Sequence, residues 1–182
     1  MAKHLYVSEF MSSKVATVGA HDTFTSIVAK MREKNISCVV VVEDDTPESE
    51  QALIPCGIVT ERQIVHYIAA NGLQCLDTVS AAKLSTPTLV TIHVDDSLFE
   101  AMVLCRTQKV KQLPVIHEDG TLAGVITHSD MVDANYSQIQ KQAELLGDNA
   151  DPDSINAQLM EMTLTDPMLK IGNRRSMEID LK

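Results

Sequence analysis

The chain has no tryptophan, and only three tyrosines and three phenylalanines in 182 residues. A core built from it must be aliphatic, drawn from Val, Ile, Leu and Met. No apolar run approaches the roughly 18 residues needed to cross a bilayer, so no membrane-spanning helix is expected. Met1 to Phe10 carries no signal-peptide core, and a cytoplasmic protein is expected. Basic residues are outnumbered: 15 Lys and Arg stand against 25 Asp and Glu, a formal net charge of −10. That balance argues against general nucleic-acid or anionic-membrane binding but leaves room for a local basic pocket. The cysteines, Cys38, Cys56, Cys75 and Cys105, contain no C-x-x-C pair and read as reduced thiols. The histidines, His4, His21, His66, His93, His117 and His128, show no ligand spacing, so no metal site is expected. No nucleophile–base pair stands out, which disfavours an enzyme.

What is present is a duplication. Lys14-Val15-Ala16-Thr17-Val18 to Glu43 aligns without a gap with Thr88-Leu89-Val90-Thr91-Ile92 to His117, at an offset of 74. After an insertion in the first copy, Gly57-Ile58-Val59-Thr60 matches Gly124-Val125-Ile126-Thr127 at an offset of 67. In the second copy Thr88 to Val94 reads as a β-branched strand. Asp95-Asp96-Ser97 then caps a helix whose apolar face is Leu98, Ala101, Met102 and Cys105. Leu113 to Ile116 and Leu122 to Ile126 read as strands around the turn Glu118-Asp119-Gly120, and a further helix opens at Thr127-His128-Ser129-Asp130. In the first copy Val15 to Val18 reads as the strand and Asp22 as the cap of a helix bearing Phe24, Ile27, Val28 and Met31. Cys38 to Val42 and Ile54 to Val59 follow as strands around the acidic loop from Asp44 to Gln51, and Glu61 to Ala70 as the closing helix.

Two strand-helix-strand-strand-helix units, each with Gly-x-x-Thr before its last helix, resemble a tandem pair of CBS domains, the Bateman module. The resemblance covers about residues 7 to 135. It is carried by Phe10-Met11, by Leu113-Pro114-Val115-Ile116, and by Gly124-Val125-Ile126-Thr127-His128-Ser129-Asp130. It implies an α/β fold: two pseudo-symmetric CBS units packed together, with a C-terminal helical extension. It also implies a regulatory role, a homodimer, and an adenosine-containing ligand such as AMP, ADP, ATP or S-adenosylmethionine in a cleft of the pair. The alternative is a ligand-free dimerisation or interaction module.

The resemblance carries the ligand site to the second copy. Thr127 would sit at a helix N-terminus, where free N–H groups favour phosphate. Asp130 would accept the ribose hydroxyls. Lys111 and His128 would neutralise phosphate, and Thr86 to Thr88 with Val110 to Pro114 would supply the adenine slot. A purely structural reading stands beside this one, with Thr127 as cap and Asp130 as first-turn carboxylate of the same helix. In the first copy Thr60 and Arg62 match, but Gln63 replaces the ribose-binding Asp. One ligand per chain is therefore expected.

Beyond Asn135 the chain leaves the repeat. Tyr136 to Leu146 reads as continued helix, and Ile155, Leu159 and Met162 follow helical spacing. Leu164-Thr165-Asp166-Pro167-Met168-Leu169-Lys170-Ile171-Gly172-Asn173-Arg174-Arg175 is similar to the opening of GGDEF domains, the diguanylate cyclase family. That resemblance implies a C-terminal output domain of which this chain holds only the start. The expected organisation is a first CBS repeat over 1–80, a second over 81–135, a helical linker over 136–165 and a GGDEF-like start over 166–182.

Overall fold

A computed structural model describes residues 5–43, 53–86 and 88–146. The acidic loop, the helical spacing around Ile155 and the GGDEF-like segment lie outside the described residues.

Each repeat builds a three-stranded sheet with one parallel and one antiparallel pairing. In the first, β1 (Thr17–Gly19) pairs parallel with β2 (Cys38–Val42), which pairs antiparallel with β3 (Pro55–Thr60). In the second, β4 (Ile92–His93), β5 (Gln112–Ile116) and β6 (Leu122–Thr127) repeat that order. The helices are α1 (Phe24–Lys34), α2 (Glu61–Asn71), the short α3 (Ala81–Leu84), α4 (Leu98–Gln108) and α5 (His128–Leu146). None of them is long and apolar enough to cross a membrane.

Period-two alternation explains why Cys38 in β2 is followed by four consecutive valines. Val39 and Val41 face the first repeat's own core, with Ile27, Met31 and Val59. Val40 and Val42 face the other way and pack with Val125 of the second repeat. The strand is buried on both sides, and its outer face joins the two sheets.

The local signals recur at the same offset. Ser97 and Glu100 form a capping box on α4, and Thr23, 74 residues earlier, accepts from Ser26 N–H on α1. The expected cap, Asp22, instead accepts the Gly19 N–H at 3.2 Å, as Asp96 accepts that of His93 at 2.9 Å. These carboxylates close the strand-to-helix turn, while the hydroxyl one residue later reaches the helix. Both helices end on a left-handed residue, Asn35 with φ 50° and Lys109 with φ 55°. The strand expected over Thr88 to Val94 covers only Ile92–His93; just upstream, Thr86 is still hydrogen-bonded to Ile58 of β3.

The segments before β1 and β4 are exchanged between the repeats. Val7, fully buried, sits in the second repeat's core with Leu98, Leu113 and Ile126. Its N–H donates to Asp96 O, and the Leu98 N–H donates to Leu5 O. Ser12 and Val125 exchange both backbone hydrogen bonds. Reciprocally, Val79, Ala81 and Leu84 sit in the first repeat's core.

Candidate functional site

The β3–α2 and β6–α5 turns are built alike. Thr60 Oγ1 accepts the Gln63 N–H at 3.3 Å while Gln63 Oε1 accepts the Thr60 N–H at 2.7 Å. Thr127 Oγ1 accepts the Asp130 N–H at 3.3 Å, and Asp130 Oδ2 accepts both the Thr127 N–H and its hydroxyl at 2.8 Å. Each turn is held against the residue that precedes its strand's antiparallel partner: the Glu61 N–H donates to Ser37 O before β2, and the His128 N–H to Lys111 O before β5. Gln63 and Asp130 thus hold the same structural post, a capping box that satisfies two helix-end donors.

A cleft of about 500 Å³ opens at the first of these turns. Its wall takes Ile58, Thr60, Glu61, Arg62, Gln63 and His66 from β3 and α2, and Ser37 from the approach to β2. The linker contributes Thr86, and the second repeat contributes Lys109 to Gln112. Thr86 donates its N–H to Ile58 O at 3.4 Å, and its buried hydroxyl has no hydrogen-bond partner. An orphaned hydroxyl in a wall shared by both repeats is the kind of group a ligand or water satisfies.

Lys111 adjoins both turns: it lines the cleft, and its carbonyl accepts the His128 N–H. Val110 and Lys111 line the cleft with Thr60 and Arg62, at the first turn. Thr127, His128 and Asp130 form the second turn and are not in its lining. Thr88 is exposed and likewise outside it. The chain at Thr86 runs beside Ile58 of β3, while the equivalent place beside β6 is taken by Ser12. Ser37, Glu61, Gln63, His66 and Lys109 were not assigned from the sequence. The repeat offset gives their equivalence to second-turn positions, but not which turn the cleft favours.

Asp130 looks across to the first repeat. Burial first, then the nearby Asp130 and Glu61 carboxylates, push the Cys38 thiol up to about 11. Burial also raises Cys105, to about 11. Neither thiol is a nucleophile at neutral pH.

The family model for the CBS domain matches residues 7–70 and 81–137. The chain belongs to the CBS domain family. It carries the domain twice, and the GGDEF-like segment lies outside both matches. Among relatives, it is 29% identical over 126 residues to protein MK0525 of Methanopyrus kandleri, covering 69% of this chain and 60% of that one. It is 28% identical over 123 residues to Hypoxic response protein 1 of Mycobacterium tuberculosis, covering 68% and 80%. Among solved structures, the CBS-domain protein ATU1752 from Agrobacterium tumefaciens superposes with a TM-score of 0.62 at 26% identity, over 71% of this chain and 98% of that one. CBSX2 in complex with AMP gives 0.60 at 22%, over 75% and 98%. The CBS pair of MJ0100, in complex with methylthioadenosine and S-adenosylmethionine, gives 0.63 at 16%, over 75% and 99%. The last two share the fold, and their ligands are their own.

Proposed function

We propose that this CBS pair is a regulatory sensor of an adenosine-containing ligand, with no catalytic step of its own. The observation that carries the reading is the cleft at the first turn, which draws its wall from both repeats and the linker. A ligand there touches groups whose spacing depends on how the repeats are packed, so it favours one arrangement over another. AMP and S-adenosylmethionine bound to relatives of this fold support the ligand class. ADP and ATP belong to the same set. α5 begins at His128, directly on the Lys111 carbonyl, and runs 19 residues to Leu146. It is the mechanical route to a C-terminal output. That the output is a GGDEF domain rests on sequence resemblance alone.

We place the protein in the cytoplasm as a homodimer. Val65 (61% exposed) on α2 and Phe99 (69% exposed) on α4 supply apolar surface for a partner copy. No nucleic-acid or membrane partner is proposed for a chain of net charge −10.

Thermal denaturation of the full chain with AMP, ADP, ATP and S-adenosylmethionine tests the reading. A ligand present at 100 times its dissociation constant adds about 2.7 kcal/mol of stability. A flat melting temperature across the set would favour the second reading, a ligand-free dimerisation module, which the neutral Gln63 in the carboxylate position supports.

A further inference from the structure

We infer that the two turns have unequal electrostatic roles, and that the first-turn cleft, not its second-turn twin, is the polyphosphate site. The inference rests on the nucleotide-sensing reading and adds which turn binds the charge and how ligand affinity depends on phosphate number.

In the first-turn cleft Arg62, Lys109 and Lys111 oppose one carboxylate, Glu61, with His66 beside them. The repeat offset maps each cation to a residue without positive charge. Lys109 becomes Asn35 and Lys111 becomes Ser37; Arg62 becomes Ser129 and His66 becomes Asp133. The mapping is structural as well as arithmetic. Lys109 and Asn35 share the left-handed helix end, and the carbonyls of Lys111 and Ser37 accept equivalent N–H groups, from His128 and Glu61. Glu61 itself becomes His128, and Gln63 becomes Asp130. The second turn therefore holds two carboxylates, Asp130 and Asp133, against one lysine, since Lys111 stands there where Ser37 stands at the first turn.

The consequence is directional. On a chain of net charge −10, the basic recess at the first turn draws a multiply charged anion to it. Asp130 at the second turn already accepts two hydrogen bonds from Thr127, and a phosphate there would face its charge at close range. Three cations exceed what one phosphate needs, so affinity climbs with phosphate number.

The test is calorimetric titration of the full chain with adenosine, AMP, ADP and ATP in magnesium-free buffer, at low and high salt. Each added phosphate should tighten binding about three-fold at low salt, the size expected of one solvent-exposed ion pair, and the ladder should flatten at high salt. Arg62→Glu with Lys109→Glu should bring AMP and ATP within about two-fold of each other, and Asp133→Asn should leave the ladder intact. If AMP and ATP bind the native chain equally, the inference is overturned and the sensing reading survives. A ladder that persists in the double reversal, or collapses in Asp133→Asn, overturns the assignment to the first turn. Binding by none of the four overturns both.

Discussion

The capping box of Thr127 and Asp130 is measurable without ligand. Removing the cap by Thr127→Ala leaves helix-end donors unsatisfied and should cost about 1 kcal/mol in urea unfolding. Thr60→Ala should cost a similar amount, since the two boxes match. The thiols offer a second residue-scale check. Cys56 is exposed, while burial holds the titration of Cys38 and Cys105 near 11. A maleimide at neutral pH should label Cys56 and leave those two untouched in the folded chain; mass spectrometry of digested protein reads this. Because their folded pKa is raised, the stability linked to Cys38 and Cys105 is complete below about 9, the unfolded thiol value, and is lost as pH climbs towards 11. At this scale the sequence was legible where chemistry is local. Ser97 lies in the expected cap Asp95-Asp96-Ser97, and it is the residue that caps α4. Asp22 misled, because a carboxylate and a hydroxyl stand side by side and either could cap; only the backbone path shows that Thr23 does.

The exchanged segments are the element-scale feature, and they account for two glycines. A Cβ on Gly124 would lie 2.6 Å from Met11 Sδ and 2.9 Å from the Ser12 carbonyl, which cannot move without breaking its pairing with Val125. Gly124→Ala should therefore destabilise by about 1–3 kcal/mol, as overpacking does. At Gly57 the near neighbour is the Ser85 side chain, at 2.8 Å. Val7→Ala should cost about 2 kcal/mol by emptying a place in the second repeat's core, although Val7 precedes the first repeat's strands. A native-like unfolding midpoint for Val7→Ala would contradict the exchange. The strands and helices of both units were readable from alternation and helical spacing. The exchange was not, because residues that lead into an edge strand carry no mark of which sheet they first cross.

Across the whole molecule, duplication supplies a scaffold with two equivalent turns, and substitution makes them unequal. The valine face of β2 fixes the repeats against each other, while the cleft beside it leaves groups from both within reach of one ligand. Sedimentation equilibrium should give twice the chain mass, shifted towards monomer by Val65→Asp with Phe99→Asp. The central claim is that ligand binds where the repeats meet at the first turn. Amide hydrogen exchange of the full chain, with and without saturating AMP, tests it most directly. Slowed exchange concentrated at Ser37, Thr60 to Gln63 and Lys109 to Gln112 is the expected result. Slowing confined to Thr127 to Asp130, or none anywhere, would contradict it.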